Sequence, residues 1–511
     1  MVSAPRTYAF HVLFACALVG VIFAHTYRMA TLPCGLYQDE AGVGGAAHDI
    51  QATLHDGDDF LPLYFRSVGT GVAPVYVYTL AGMIRLFGAS EFTLRLTAAC
   101  FHFAFIGVLL LLLARLVPAA GRKFALLFAL VAAGFFPWLF SVSRYAHEIN
   151  SQPLLFLLAF FFVYRAFEER REGSSPESGV PWRAIVAGLF CGLSIYSYAT
   201  ARLFTLVLGP LVLVAYFRGT SPRRLIAFGG ACALALLPFL SDALIGGHAV
   251  THRLGSVSYV FADLPLMEKA FMFLERYFGY FGPGNLFASG DPNPRHAIGF
   301  TGQVLPATLV VGLVGLVVAW WRLPRRFHFV LLCMLLLAPV GGALALNKLH
   351  ALRGLLLPVF FLVYVGVGAA FLYERAGQRW RLPVAAVLLL WTLHGSAGYL
   401  RTYFEDYPGR SVLAFESWGV DPLIRQALET GPTRIDFLTD EIDYTVTSQM
   451  RFYRAKYAIP EAVAMERLPA SRGIPGTCEL THLPREERMR RTLRNLKGCG
   501  SENYQYALKC F

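Results

Sequence analysis

The sequence predicts an all-α polytopic membrane protein of about eleven transmembrane helices, followed by a small C-terminal external α/β domain. Three observations carry this reading. The 511 residues are 56% hydrophobic, with a mean hydropathy of +0.51, too apolar for a soluble chain of this size. Apolar stretches of nearly bilayer-crossing length recur up to about residue 397, for example at 8–24, 94–113, 124–140, 225–240 and 355–371. Hydropathy then falls sharply from Tyr399 onward. Inside lipid every backbone N–H and C=O must be paired within the segment, so these stretches are helices rather than open strands.

The charge pattern orders the helices. The formal net charge is +12, and the basic residues sit in short clusters beside apolar runs. A nucleic-acid partner needs a continuous basic face, and the sequence has none. The clusters instead read as cytoplasmic loops under the positive-inside rule. They comprise Arg6; Arg115, Arg122 and Lys123; Arg165, Arg170, Arg171 and Arg183; Arg218, Arg223 and Arg224; Arg322, Arg325 and Arg326; and Arg375, Arg379 and Arg381. Between successive clusters there is room for two crossings.

The first helix, 8–24, follows Arg6 and is expected to stay uncleaved, because no small-x-small site precedes a cleavage point. Pro33 before Cys34 spoils a lipoprotein signal. Residues 74–88 look helical, but a full span there would turn every later basic loop outward. They are therefore expected to form an interfacial or re-entrant helix within a long first external loop, 28–92. The remaining spans are expected at 92–113, 124–142, 153–167, 184–198, 203–217, 225–243, 305–321, 329–346, 355–373 and 383–397. A flexible Ser/Gly/Pro-rich loop covers 173–181. The membrane domain is taken as 1–398 and the external domain as 399–511, with a strand at 433–439, an amphipathic helix at 444–456 and a basic helix at 484–496.

Nine cysteines are present and no CxxC pair occurs, which argues against a zinc module. Cys16, Cys100, Cys191, Cys232 and Cys333 fall in apolar runs and act as small hydrophobes. Cys478, Cys499 and Cys510 lie in the external tail, where one disulfide among them is expected.

Acidic residues are rare in the membrane half, and several collect on the external side. Asp39 and Glu40 follow the first helix in Gly35-Leu36-Tyr37-Gln38-Asp39-Glu40-Ala41. Glu148 opens the fourth span in Ser143-Arg144-Tyr145-Ala146-His147-Glu148. Carboxylates at membrane depth are costly and tend to be functional. Local chemistry alone leaves two readings open: a functional set, or a solvated loop pair with Glu148 neutralised by Arg144.

The longer pattern is more informative. Asp39-Glu40 is followed by the small residues Ala41, Gly42, Gly44, Ala46 and Ala47. Leu61-Pro62-Leu63-Tyr64-Phe65 comes next, then Pro74-x-Tyr76-x-Tyr78. Further on come Leu86-Phe87-Gly88-x-x-Glu91-Phe92-x-x-Arg95-Leu96, Ser143-Arg144-Tyr145, Tyr196-x-Tyr198-x-x-x-Arg202 and His350-x-x-Arg353. In order and spacing, over 36–353, this resembles the GT-C glycosyltransferases. More narrowly it resembles the protein O-mannosyltransferase and aminoarabinose-transferase superfamily, glycosyltransferase family 39.

The resemblance implies a membrane enzyme that takes a sugar from a polyprenyl-phosphate donor and passes it to an acceptor hydroxyl at the external face. It implies Asp39 as the base, Glu40 in support, and Glu148 orienting the acceptor or, with Asp39, holding a divalent metal. Members of the family often carry a lysine just before the position of Pro74, meeting the lipid phosphate. Here the residues are Thr70-Gly71-Val72-Ala73, so the phosphate contact passes to Arg66, Arg202 or Arg353. Arg144 and His350 join them as substrate contacts. Lys348 reads as a phosphate contact or a snorkelling cation, and Asp291 and His296 as a sugar contact or a structured turn. Tyr76, Tyr78, Tyr196 and Tyr198 read as interfacial aromatic packing. No cofactor beyond a divalent metal is implied. The acceptor class stays open among lipid, glycan and protein, and the location is the plasma (inner) membrane. A transporter or lipid flippase is the alternative, but it favours inverted repeats and acids at the midplane. The sequence has no clear repeat, and its acids gather at one face. A membrane scaffold whose tail binds partners is a third reading.

Overall fold

A computed structural model describes residues 4–65, 71–172, 180–217, 222–246, 258–299, 301–415, 417–439, 443–488, 499 and 504–511. Arg66, Thr70, Arg218, most of the 173–181 loop and the end of the expected 484–496 helix lie outside these residues.

Among the described residues, seven helices are long and apolar enough to cross a membrane: Tyr8–Thr26, Glu91–Leu116, Glu148–Ala166, Pro222–Leu244, Arg325–Ala343, Leu356–Arg375 and Arg381–Glu405. Shorter apolar helices fill the rest of the bundle. In chain order the membrane elements begin with α1 (Ala4–Thr26), α2 (Gln38–Thr53), α3 (Pro74–Phe87), α4 (Glu91–Leu116), α5 (Ala119–Gly134) and α6 (Pro137–Val142). They continue with α7 (Ser151–Glu172), α8 (Trp182–Leu193), α9 (Ala201–Val212) and α10 (Pro222–Ser241). Four further helices follow, Pro306–Arg322, Arg325–Leu337, Leu356–Arg375 and Arg381–Glu405. The chain is a multi-pass membrane protein.

α3 has 14 residues, about 21 Å of helix against a hydrocarbon core of about 30 Å. It packs beside α2 and α4, in the segment that the basic clusters lead us to expect as interfacial or re-entrant. The expected third span, 124–142, is broken into α5 and α6 by the Phe135-Phe136-Pro137 turn, where proline cannot continue the helix. The last span runs on to Glu405, past the expected end at 397.

Leu356–Arg375 is the central helix, buried along most of its length. It meets Pro306–Arg322 at backbone contact: a Cβ on Gly315 would lie 1.8 Å from the Tyr364 carbonyl, and one on Gly368 2.0 Å from that of Val311. Small residues let membrane helices approach this closely, since burial against lipid gives little drive.

The helices alternate in direction. One end of the bundle carries the Arg322–Glu374 ion pair at 2.8 Å and Lys123 over the Phe10 ring. The other carries α2, the loop after α6 and the C-terminal sheet. Cysteine labelling checks the implied topology: positions 223, 325 and 379 are expected to react from one face of the membrane and position 444 from the opposite face. A label reaching 223 from the side of 444 would overturn the order of crossings.

Beyond Glu405 a short helix, Tyr407–Phe415, leads into the α/β unit. A small hairpin, β1 (His55–Asp56) with β2 (Asp59–Phe60), lies earlier in the chain. The C-terminal sheet has the order β4-β3-β5-β6, with β3 (Arg434–Leu438), β4 (Ala464–Leu468), β5 (Thr477–His482) and β6 (Tyr506–Cys510). β3 pairs in parallel with both β4 and β5, and β6 closes the sheet antiparallel. The helix Asp443–Lys456 makes the β3–β4 crossover that parallel pairing demands. The sheet does not keep its core to itself. Ile424, Phe437, Phe452 and Leu480 pack with Leu36, Ala46, Tyr76 and Leu94 in one apolar cluster, so the tail and the Asp39 helix are held as one body. The expected tail disulfide is Cys478–Cys510, across the β5–β6 register. Cys499 pairs instead with Cys34, ahead of α2.

Candidate active site

The last turn of α1 and the irregular chain from there to α2 leave carbonyls without helical partners, and these need donors. Two fully buried arginines supply them. Arg144 Nη1 donates to the carbonyls of Ala24 (2.9 Å) and His25 (2.7 Å), Nη2 to those of Tyr27 (2.9 Å) and Leu32 (3.3 Å), and Nε to the Tyr403 hydroxyl (3.2 Å). Arg95 Nη1 donates to Met29 (3.1 Å) and Pro33 (3.0 Å), and Nη2 to Gly35 (2.6 Å). The Arg144 donors, expected to meet substrate, are taken up here by main-chain carbonyls and the Tyr403 hydroxyl, which shapes the approach to α2. Arg144 does not neutralise Glu148 either, because its donors face the backbone of 24–32.

Asp39 and Glu40 stand in the first turn of α2. Adjacent helical residues diverge by about 100°, and the two carboxylates separate accordingly. Glu40 turns inward and is fully buried. It takes Arg95 Nε at 3.0 Å, the Tyr37 amide at 3.1 Å and the Ala146 amide at 2.9 Å. It thereby ties α2, α4 and the loop after α6 together, which fits a supporting role. Asp39 turns outward, with its side chain 30% exposed and Oδ2 3.6 Å from His147 Nε2. Glu148, also buried, accepts the Ala73 amide at the start of α3, a favourable place for an anion at a helix N-terminus. Of the three expected catalytic carboxylates, Asp39 is the one open to a substrate.

The sheet domain fixes the start of α2. The Leu36 carbonyl accepts Gln449 Nε2 at 2.7 Å and Ser417 Oγ at 2.6 Å, and the Cys34 amide donates to Ser411 Oγ at 2.9 Å. Arg451 Nη2 holds both Asp49 (2.6 Å) and Asp56 (2.7 Å).

The opposite wall comes from two distant segments. Asp291 caps its own turn through the Asn293 amide (2.8 Å), bonds His296 Nδ1 (2.9 Å) and accepts the Ala351 amide (2.6 Å). The His296 and His350 rings lie 4.5 Å apart. Arg295 stacks its guanidinium 3.7 Å above the Tyr37 ring, which joins this wall to the Asp39 helix. Among the described residues, Arg353 Nη1, His350 Nδ1 and the Tyr145 hydroxyl are buried without a hydrogen-bond partner. Such groups cost stability unless a ligand completes them. Burial, then His296 and the Arg353 cation, hold the His350 imidazole well below its usual range. This favours the neutral imidazole, which offers a lone pair or an N–H.

Arg202 lies at the start of α9 with its guanidinium 5.3 Å from the Tyr64 ring and 6.0 Å from that of Phe239. Burial pushes the Tyr64 hydroxyl up to about 12. Lys348 pairs with Glu275 at 3.0 Å, well exposed. A group able to hold a metal consists of Asp291, His296 and His350, whose donor atoms fall within 4.8 Å of one another. Two imidazoles and a carboxylate suit a zinc-like divalent ion. Asp39 and Glu148, the expected metal residues, point to His147 and the Ala73 amide respectively. The residues without an expected role are Arg95, Tyr145, His147 and Arg295. Arg95 carried a signal, an arginine one turn inside an apolar helix, which requires a buried partner.

The fold, a polytopic helical bundle with a small α/β unit packed on it, is the GT-C membrane-protein fold. Neither a family model nor a curated protein sequence matches the chain. Solved structures do match in fold. The crystal structure of ArnT from Cupriavidus metallidurans bound to undecaprenyl phosphate superposes with a TM-score of 0.54 at 13% identity, over 94% of each chain. Its apo state gives 0.52 at 15% identity, over 95% of this chain and 94% of that one. The apo oligosaccharyltransferase of Archaeoglobus fulgidus gives 0.52 at 12% identity, over 91% of this chain and 65% of that longer one.

Proposed function

We propose that the protein is a membrane glycosyltransferase that moves a sugar from a polyprenyl-phosphate-linked donor to an acceptor hydroxyl at the external face of the plasma (inner) membrane, with the sheet domain outside. The observation that carries this reading is a partly open carboxylate, Asp39, beside His147, with a buried and incompletely bonded cation, Arg353, reached from it through His350, which feels both His147 and Arg353. In the proposed reaction the acceptor O–H gives its proton to the Asp39 carboxylate as its oxygen forms a bond to the anomeric carbon. The bond from that carbon to the phosphate oxygen breaks, and its electron pair leaves with the lipid phosphate. Arg353 stabilises the growing phosphate charge. A divalent ion, where one takes part, would be held by Asp291, His296 and His350 and would add electrostatic stabilisation of that charge. The likeness to ArnT bound to undecaprenyl phosphate supports a lipid-phosphate donor. The acceptor is a lipid, a glycan or a protein. The transporter alternative is less well supported, because the carboxylates gather at one end of the bundle rather than at its middle.

The test is release of polyprenyl phosphate from lipid-linked sugars by the purified protein in nanodiscs. Arg353→Ala is expected to weaken donor binding by about 10- to 100-fold, the scale of one charge-assisted hydrogen bond, and to lower turnover as well. Arg353→Lys should recover part of the binding. Unchanged donor affinity in Arg353→Ala would move the phosphate contact elsewhere.

A further inference from the structure

We infer that His147 is the positioning residue for Asp39: its Nε2–H aims the Asp39 carboxylate at the acceptor hydroxyl. The inference rests on Asp39 serving as the base. It begins with the tautomer. The Ile149 backbone N–H points at His147 Nδ1 from 3.1 Å, and an N–H can be accepted only by a lone pair. The ring proton therefore sits on Nε2. That nitrogen lies 3.6 Å from Asp39 Oδ2, a separation that closes to a hydrogen bond with a shift of well under about 1 Å, as catalytic contacts do when substrate binds.

The ring has little freedom. Its side chain is 9% exposed, with the edges of the Tyr145 and Tyr198 rings at 6.2 and 5.6 Å between centroids. Its backbone is anchored next door, where the Ala146 amide donates to Glu40. Glu40 is thus connected to both halves of the pair. It sits beside Asp39 on α2 and beside His147 through Ala146, so the two side chains are set against each other by one buried carboxylate. One nitrogen of His147 closes its own turn and the other faces the base.

Three substitutions separate these two jobs. Asn places its amide oxygen near the position of Nδ1 and keeps the Ile149 bond, but has nothing to offer Asp39. Gln places its amide N–H near Nε2 and keeps the contact to Asp39. Leu keeps neither. For His147→Asn and His147→Leu, turnover is expected to fall by about 10- to 100-fold, the cost of a base misplaced by about 1 Å, with donor affinity unchanged. His147→Gln should stay within about threefold of the native protein. A second readout needs no turnover: labelling of Asp39 by a water-soluble carbodiimide, followed by peptide mass mapping. It should speed up in the Asn and Leu variants and not in Gln, because a carboxylate no longer held by the residue at 147 is less shielded from the reagent. Native-like turnover and labelling in His147→Asn, with loss in Gln, would make His147 a turn cap and overturn the proposal. Equal Asp39 labelling in all variants would overturn it even if no sugar transfer is found. Normal transfer by Asp39→Asn would instead count against the base itself.

Discussion

Asp39→Asn is expected to lower sugar transfer by about 10²-fold or more, the usual scale for loss of a general base. The substitution keeps the side chain's size, and its amide can still face His147 and the substrate pocket. What it removes is the lone pair of sufficient basicity to take the acceptor proton. Donor affinity should be nearly native, because the cation expected to hold the phosphate, Arg353, lies on a different segment, in the turn Ala351–Gly354. The measurement is transfer alongside donor binding, on protein shown to be folded. Glu148→Gln should have a smaller effect, through the start of α3, whose Ala73 amide it accepts. Near-normal transfer by Asp39→Asn would remove it as the base. Near-normal transfer by variants of Asp39, Glu40 and Glu148 alike would sink the enzyme reading and revive the transporter.

Arg95→Met should be the most damaging single change to stability. Arg95 and Glu40 are both fully buried and joined at 3.0 Å, and Arg95 also satisfies the carbonyls of Met29, Pro33 and Gly35. Removing one member of a buried pair leaves the other uncompensated, at a cost of about 3–5 kcal/mol. Part of that cost should return in the double variant Arg95→Met, Glu40→Gln, which no longer buries a lone charge. Thermal unfolding in nanodiscs reads both. A midpoint within about 2 °C of native for Arg95→Met would show that the pair is not stabilising. Any folded fraction of the single variant should also transfer poorly, since Glu40 places both α2 and Ala146.

Much of the fold is written locally. Lipid imposes its own composition on each segment that crosses it, so hydropathy marks the spans and the basic clusters order them without knowledge of any contact. The same logic sets α3 apart as an expected non-crossing helix, because a further span there would reverse every loop after it. The carboxylates Asp39, Glu40 and Glu148 were visible for a related reason: ionised groups at the edge of apolar helices are expensive enough to need an explanation.

Contacts were decided by the tertiary structure. Sequence cannot tell an arginine that meets a phosphate from one that meets main-chain carbonyls, and Arg144 turned out to be the second kind. Nor could it distinguish the neighbours Asp39 and Glu40 by more than their divergence on a helix. The structure separates their surroundings: Arg95 and Ala146 close on Glu40 while His147 faces Asp39. The far wall, built from Asp291, Arg295, His296, His350 and Arg353, the hold of Gln449 on Leu36, and the Cys34–Cys499 bridge join residues separated by up to 465 positions. The chain alone determined that this is a membrane bundle with acids collected at one end, because solvation acts on each segment separately. Only the packed structure decided which acid is open and which cation is left incomplete, because hydrogen bonding and burial belong to pairs of segments that meet in space.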